Sequence, residues 1–326
     1  MKENEPFLES SLPLPSTLRA GQVGVCKRLC LGATIDINES CCTMSLSYLQ
    51  PYAGAHAVQQ ATFVIAWAPM ERGKQDGATE RVLAGIAVCF AELGLLDVKP
   101  VQMVELRFGP TGPIGQPPTA AAVGYEARMV GAAGRTFASV TATAVDGLSI
   151  HVQEYTRWSE VFSKVQPILH AVLPMAAEAA SVVKVGLQVV DSFTWNGPVN
   201  DVPIDNIFRR PSPWLPEHAF KCRSFWHAHH GYFEDSTEEG CHRQLTNINV
   251  NVGGSNDKPI VQAVLLHNME LTEGGCWPRG RAELEWIDRL LQKLHQDNKA
   301  AIGGLFSDEI VGRVALWGDD GWGDLR

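Results

Sequence analysis

The sequence predicts an α+β fold of two similar units, each running strand, helix, several strands, helix, with antiparallel sheets in a pseudo-twofold arrangement. Three observations predict it. The same order of elements is written twice, once from Phe63 to about residue 180 and again from Val182 to the C-terminus. A repeat that long describes a duplicated α+β module, because solenoids stack many short repeats. Within each copy the apolar residues alternate along strands and then recur at helical spacing. Finally, 326 residues, 45% hydrophobic and 19% charged, can bury a sizeable core and by length suit about two domains.

Residues 1–60 are expected to be an N-terminal arm followed by strands that cannot be assigned to a sheet. Pro13 and Pro15 rule out a helix interior near the start, and the segments around Ile35 and Leu46 alternate like strands. The first unit, 61–181, opens on a β-favouring run from Ala61 to Trp67 that Pro69 ends. Val82, Ile86, Cys89, Phe90 and Leu93 then define one helical face, with Gly94 placed to cap it. Four strands are expected over Val101–Phe108, Ala122–Val130, Thr136–Val145 and Leu148–Tyr155. Asp146-Gly147 suits a two-residue hairpin between the last two, since both positions tolerate positive φ. Ser159 offers an N-cap to a helix whose stripe is Val161, Val165, Leu169 and Val172, with a bend near Pro167.

The second unit, 182–326, repeats the pattern. Val182–Phe193 reads as a strand, Pro203–Phe208 as a short helix, and Ser224–Phe233, Gln244–Val252 and Ile260–His267 as three further strands. In the middle one Ile248, Val250 and Val252 alternate with Asn247, Asn249 and Asn251, which predicts one buried and one polar face. Leu284, Ile287, Leu290, Leu291 and Leu294 mark the buried stripe of a long closing helix, and Ile302–Val314 reads as a last helical segment. Strand, helix, four strands, helix is also similar to the element order of each half of the TATA-binding-protein fold.

Charge and composition exclude several classes of function. With 27 basic and 36 acidic residues the net charge is −9, and the basic clusters Lys27-Arg28 and Arg209-Arg210 are too short to neutralise many phosphates. Nucleic acid and anionic membranes are therefore not expected partners. No apolar run reaches the roughly 18 residues of a membrane-spanning helix, and the acidic, proline-bearing N-terminus lacks a signal-peptide core, so a cytoplasmic location is expected. The eight cysteines then read as reduced thiols, with Cys89 in the core. Cys26, Cys30, Cys41 and Cys42 do not have the spacing of paired zinc knuckles.

The densest reactive cluster is Cys222, His227, His229, His230, Cys241 and His242. On a strand His227 and His229 share a face, and a neighbouring strand can add Cys241 or His242, a donor set that suits Zn²⁺. The bland alternative is a half-exposed sheet surface packed with Phe225, Trp226 and Tyr232. No serine-nucleophile elbow or zinc-protease helix motif occurs. Gly109 to Gly115 is glycine-rich, but Pro110 and Pro113 remove backbone donors a phosphate loop needs, so it reads as a plain loop. The acidic pairs Glu238-Glu239, Asp308-Glu309 and Asp319-Asp320 read as solvated turns and helix ends. In the polar C-terminal tail, Trp317 and Trp322 are candidate anchors for a protein partner.

Three segments carry a resemblance covering about residues 60–316. Val183 to Asp191 resembles a Gly-Leu-Arg-Tyr-Ile-Asn strand of a sporadically distributed bacterial family of unknown function. Arg157 to Phe162 resembles that family's aromatic entry to its first long helix. Leu294 to Asn298, with Leu305 to Glu309, resembles its closing helix, which carries a His and then Phe and Ser or Thr before an acidic residue. Gln188 and Val189 stand where the family has Arg and Tyr, and Asp191 where it has Asn. The resemblance implies no particular reaction, and its sporadic distribution suggests bacterial conflict, such as phage defence or control of a toxin.

The functional expectation is thus a binding or assembly protein without catalysis or cofactor, working through a protein partner or self-association. Two alternatives stand beside it. One is a zinc-dependent enzyme built on the His227 and His229 strand, and the other is a small-ligand sensor using Asn247, Asn249 and Asn251 on a concave face.

Overall fold

A computed structural model describes residues 46–70, 77–104, 108–109, 112–113, 120–131, 134–222, 225–235, 242–254, 258–271 and 281–318. The strands are β1 (Leu49–Pro51), β2 (Val58–Trp67), β3 (Leu96–Val104), β4 (Phe108–Gly109), β5 (Gly112–Pro113), β6 (Ala120–Val130), β7 (Thr136–Thr143) and β8 (Gly147–Val152). They continue with β9 (Val182–Trp195), β10 (Trp226–Asp235), β11 (His242–Gly253) and β12 (Ile260–Leu271). The α-helices are α1 (Ala78–Glu92), α2 (Trp158–Ala176), α3 (Ile204–Ile207), α4 (Arg281–Leu305) and α5 (Asp308–Arg313).

The fold-class expectation needs correction. Two α+β units with their own antiparallel sheets are replaced by one antiparallel sheet of ten strands, in the order β10-β11-β12-β9-β2-β8-β7-β6-β3, with β1 also paired to β9. The fold is dominated by this sheet, and Met44–Arg326 form one compact unit. The cause lies at the centre. β2 and β9 pair antiparallel from Val58↔Asp191 to Trp67↔Val182, so backbone hydrogen bonds cross where two units were expected to abut. Which strands pair is a long-range choice that the period of each strand does not encode.

Local elements follow local chemistry. Gly94, at φ 72°, closes α1, and Leu95 N–H donates to Phe90 O at 2.9 Å. β7 and β8 form the hairpin expected at Asp146-Gly147, but the loop holds three residues and Gly147 is the first residue of β8, opposite Thr143. Gly147 has φ 108°, and a Cβ there would lie 2.2 Å from Ile65 O, so the close approach of β2 is what requires glycine. Helix α2 starts at Trp158, one residue before the expected cap, and runs through Pro167 and Pro174.

One face of the sheet is covered by helices. Phe63, Ile65, Val140, Ile150, Val185 and Leu187 pack with Ile86 and Phe90 of α1, Val165 and Leu169 of α2, and Leu291 and Leu294 of α4. A second cluster joins Ile248, Val250, Val261 and Phe193 to Ile207 and Phe208, Leu305 and Phe306, and Ile310 of α5. The other face is mixed, with uncharged polar side chains near its centre and charged ones such as Arg243, Glu270 and Lys184 or Arg128 and Glu126 further out. Two directly opposed rows on it are Asn251, Gln262 and Ser192 across β11, β12 and β9, and Gln188, Thr62 and His151 across β9, β2 and β8. Thr62 Oγ1 and His151 Nδ1 lie 3.0 Å apart.

Candidate functional site

The most developed site is a cavity on the helix-covered side, between the middle of the sheet and the facing ends of α2 and α4. It encloses about 500 Å³, a volume in the range of small-molecule sites. Five segments build it: β9, α4, the start of α2, the segment before β2, and residues 314–318 after α5. Strand β9 has an inward row of Val185, Leu187, Val189, Asp191 and Phe193, and period-2 alternation therefore carries a carboxylate into an apolar row. Its cross-strand neighbours are Val58 and Ala263, neither of which offers a side-chain donor. Asp191 is 6% exposed, and its Oδ2 has no hydrogen-bond partner among the described residues. Burial pushes its carboxyl up to about 7.

Helix α4 supplies the opposite wall. Its buried row is Leu291, Leu294, Asn298, Ile302 and Leu305, spaced as one helical face with Asn298 in an apolar position. Asn298 is buried, lines the cavity, and its Oδ1 likewise lacks a partner among the described residues. A neighbouring stripe of α4 holds α2. Asp288 Oδ2 accepts from Gln166 Nε2 at 2.7 Å and lies 2.9 Å from His170 Nε2. Gln292 Oε1 accepts from Trp158 Nε1 at 2.6 Å, and His295 stacks on the Trp158 ring with centroids 4.0 Å apart.

Trp158 is therefore the hinge-pin of the site, stacked also on Phe63 of β2 and Phe162 of α2. The segment before β2 completes the wall with His56, whose ring meets Tyr155 edge-on at 5.5 Å. Burial holds the His56 imidazole below its ordinary value, partly offset by backbone hydrogen bonds with Tyr155 and Val58. The rim carries charges of both signs in Arg157, Glu160 and Lys299. Among the buried polar atoms of the lining that lack a hydrogen-bond partner among the described residues are two oxygens, Asp191 Oδ2 and Asn298 Oδ1, and one ring nitrogen, His56 Nδ1.

The residues singled out from sequence lie elsewhere. His227 and His229 are exposed on β10, opposite Asn251 and Asn249. His229 Nε2 lies 3.3 Å from Asn247 Oδ1. His242 is buried on the helix side of β11 and pairs with Leu271, beyond the end of the β10 ladder, where Asp235 faces Arg243. The structure thus puts His242 on the other face from His227 and His229, and Cys241 lies outside the described residues. Among the described residues no group of three or more His, Cys, Asp or Glu is placed to hold a metal ion.

Trp317 is exposed, with the Lys299 ammonium 5.6 Å from its ring centre, and Trp322 lies outside the described residues. Arg209 and Arg210, the basic pair of the second half, are engaged with Asp308 and with Asp205 and Glu217. No described helix is long and apolar enough to cross a membrane.

Asp191, Asn298, Trp158 and His56 were not site candidates on sequence grounds. Two of them carried a readable signal: Asp191 has the inward parity of its strand, and Asn298 sits in the apolar row of its helix. Comparison with known proteins adds nothing to this geometry, since no protein-family model and no curated protein matches the chain.

Proposed function

We propose that this protein is a non-catalytic binding protein that takes a small molecule bearing N–H donors, an amine or amide, into the cavity between α2, α4 and β9. The observation that carries the reading is that Asp191 and Asn298, two polar side chains in otherwise apolar rows, both line this cavity, and each has a buried acceptor oxygen without a donor among the described residues. Buried acceptors left unpaired each cost about 1–3 kcal/mol, so a ligand that donates to both recovers that cost on binding. Thermal unfolding tests it with a panel of primary amines and amides, including ω-aminooctanol. A binding member is expected to raise Tm by about 4 °C or more near saturation. Its affinity should fall about tenfold or more in Asp191→Asn, which keeps an acceptor but loses the charge. A panel that leaves Tm unmoved would sink the reading.

A second reading, assembly through a protein partner or a second copy, is favoured by β10. It is the last strand of the sheet on its side, and it exposes Phe233, with Phe225 exposed just before it. Light scattering of the native protein should then give a mass above that of one chain, and Phe233→Lys should lower it. A single-chain mass at all concentrations rules out self-association. The same sample mixed with a cell extract and recovered alone would count against a role in bacterial conflict through a stable protein partner.

A further inference from the structure

The cavity does not end at His56. A second hollow shares the residues Ala53, His56, Val58, Tyr155 and Thr156 with it and continues along α2 and the β7–β8 edge. His56 and Tyr155 belong to the linings of both compartments, and the residues that the two do not share differ in chemistry. The first is lined by Asp191 and Asn298. The second is lined by Arg135, Glu154 and Lys164. Arg135 Nε and Glu154 Oε1 are paired at 2.6 Å and offset each other. That leaves Lys164, which has no carboxylate partner among the described residues and lies with its ammonium 4.2 Å from the centre of the Phe137 ring.

From this geometry we infer that the ligand spans both compartments as a zwitterionic chain, its amine end at Asp191 and Asn298 and its anionic end at Lys164. The inference rests on the binding reading above and adds the second charge and the length. Lys164 follows Trp158 by six positions on α2, which is about 9 Å of helix axis at 1.5 Å per residue. The middle of such a chain passes Val58, His56 and Tyr155, two of them rings that offer apolar surface without requiring a charge. Lys164 is exposed on α2 with its ammonium 4.2 Å from the centre of the Phe137 ring, which leaves it open to an anion at the mouth of the second hollow.

The test compares three probes of one length on the full chain by calorimetry: ω-aminooctanoate, ω-aminooctanol and ω-hydroxyoctanoate. The zwitterion is expected to bind about fivefold tighter than the amino alcohol, the gain of one partly exposed ion pair. Lys164→Met, which keeps the apolar stem over Phe137, should erase that difference and leave the amino alcohol unaffected. Lys164→Glu should reverse it. Equal binding of zwitterion and amino alcohol to the parent protein would overturn the two-ended ligand while leaving the amine site intact. Binding of none of the three overturns both, and tight binding of the hydroxy acid that survives Asp191→Asn overturns the assignment of ends.

Discussion

Asp191→Asn is expected to raise the unfolding free energy at pH 8 by about 2–4 kcal/mol, an unusual sign for a buried polar change. The parent carboxyl is 6% exposed among apolar neighbours and sits at about 7 in the fold, against an ordinary value of 3.8. Its folded pKa is raised, so the native state binds the proton more tightly than the unfolded chain. Its contribution is most favourable below the unfolded pKa and is lost as pH rises from about 4 to above 7, where a buried anion has to be carried. Asparagine has no such charge to desolvate.

His267 slopes the other way. Burial pushes its imidazole down to about 4, with Asp297 pulling it up and Lys293 pushing it down. Its Nδ1 lies 3.2 Å from Thr246 Oγ1, and its Nε2 is buried without a partner among the described residues. The folded pKa is below the unfolded value of 6.5, so the unfolded chain takes up the proton first. The neutral ring's contribution is complete above pH 6.5 and is lost towards pH 4. Between pH 7.5 and pH 5 each group changes stability by about 2 kcal/mol, with opposite signs. In the parent protein these two slopes oppose each other across that interval, and His56 and His151, also held low by burial, add to the loss on the acid side. Relative to the parent in urea unfolding, Asp191→Asn should become less stable on acidification, and His267→Gln more stable. Parallel profiles for all three proteins would show that neither group is held as its burial implies.

Trp158→Ala is expected to cost about 4 kcal/mol, near the upper range for removal of a buried aromatic. The ring is 6% exposed and touches Phe63, Phe162 and His295, so its loss empties the contact between β2, α2 and α4 at once. Trp158→Phe keeps most of the stacked area and removes only the hydrogen bond to Gln292, worth about 1 kcal/mol. Chemical unfolding of the two variants separates the terms. A cost in Trp158→Ala no greater than that in Trp158→Phe would mean that the stack contributes nothing and the site lacks its pin.

Much of the element order was legible because it depends on near neighbours. The period of Val82 to Leu93 and of Leu284 to Leu294 places α1 and α4, and the Asn and Val alternation of β11 assigns its two faces, with Ile248, Val250 and Val252 buried. The hairpin at Asp146-Gly147 was legible in place but not in loop length, because Gly147 answers to the carbonyl of Ile65, some eighty positions earlier in the chain. The candidate site was half legible. Asp191 and Asn298 break apolar rows that can be read from spacing alone, yet nothing local says that the two rows face each other across a cavity.

The histidine cluster shows the opposite case. His229 and His242, thirteen positions apart, end on different faces because the register sets His229 opposite Asn249 on the polar face, while alternation along β11 puts His242 on the buried face with Ile248 and Val250. Local periodicity thus determined which residues form each strand and helix and which face of each is apolar. Only the tertiary structure decided that β2 and β9 join everything into one sheet. It also decided that α2 and α4 meet over Asp191, since strand pairing and helix docking are set by backbone hydrogen bonds and packing between segments far apart in the chain.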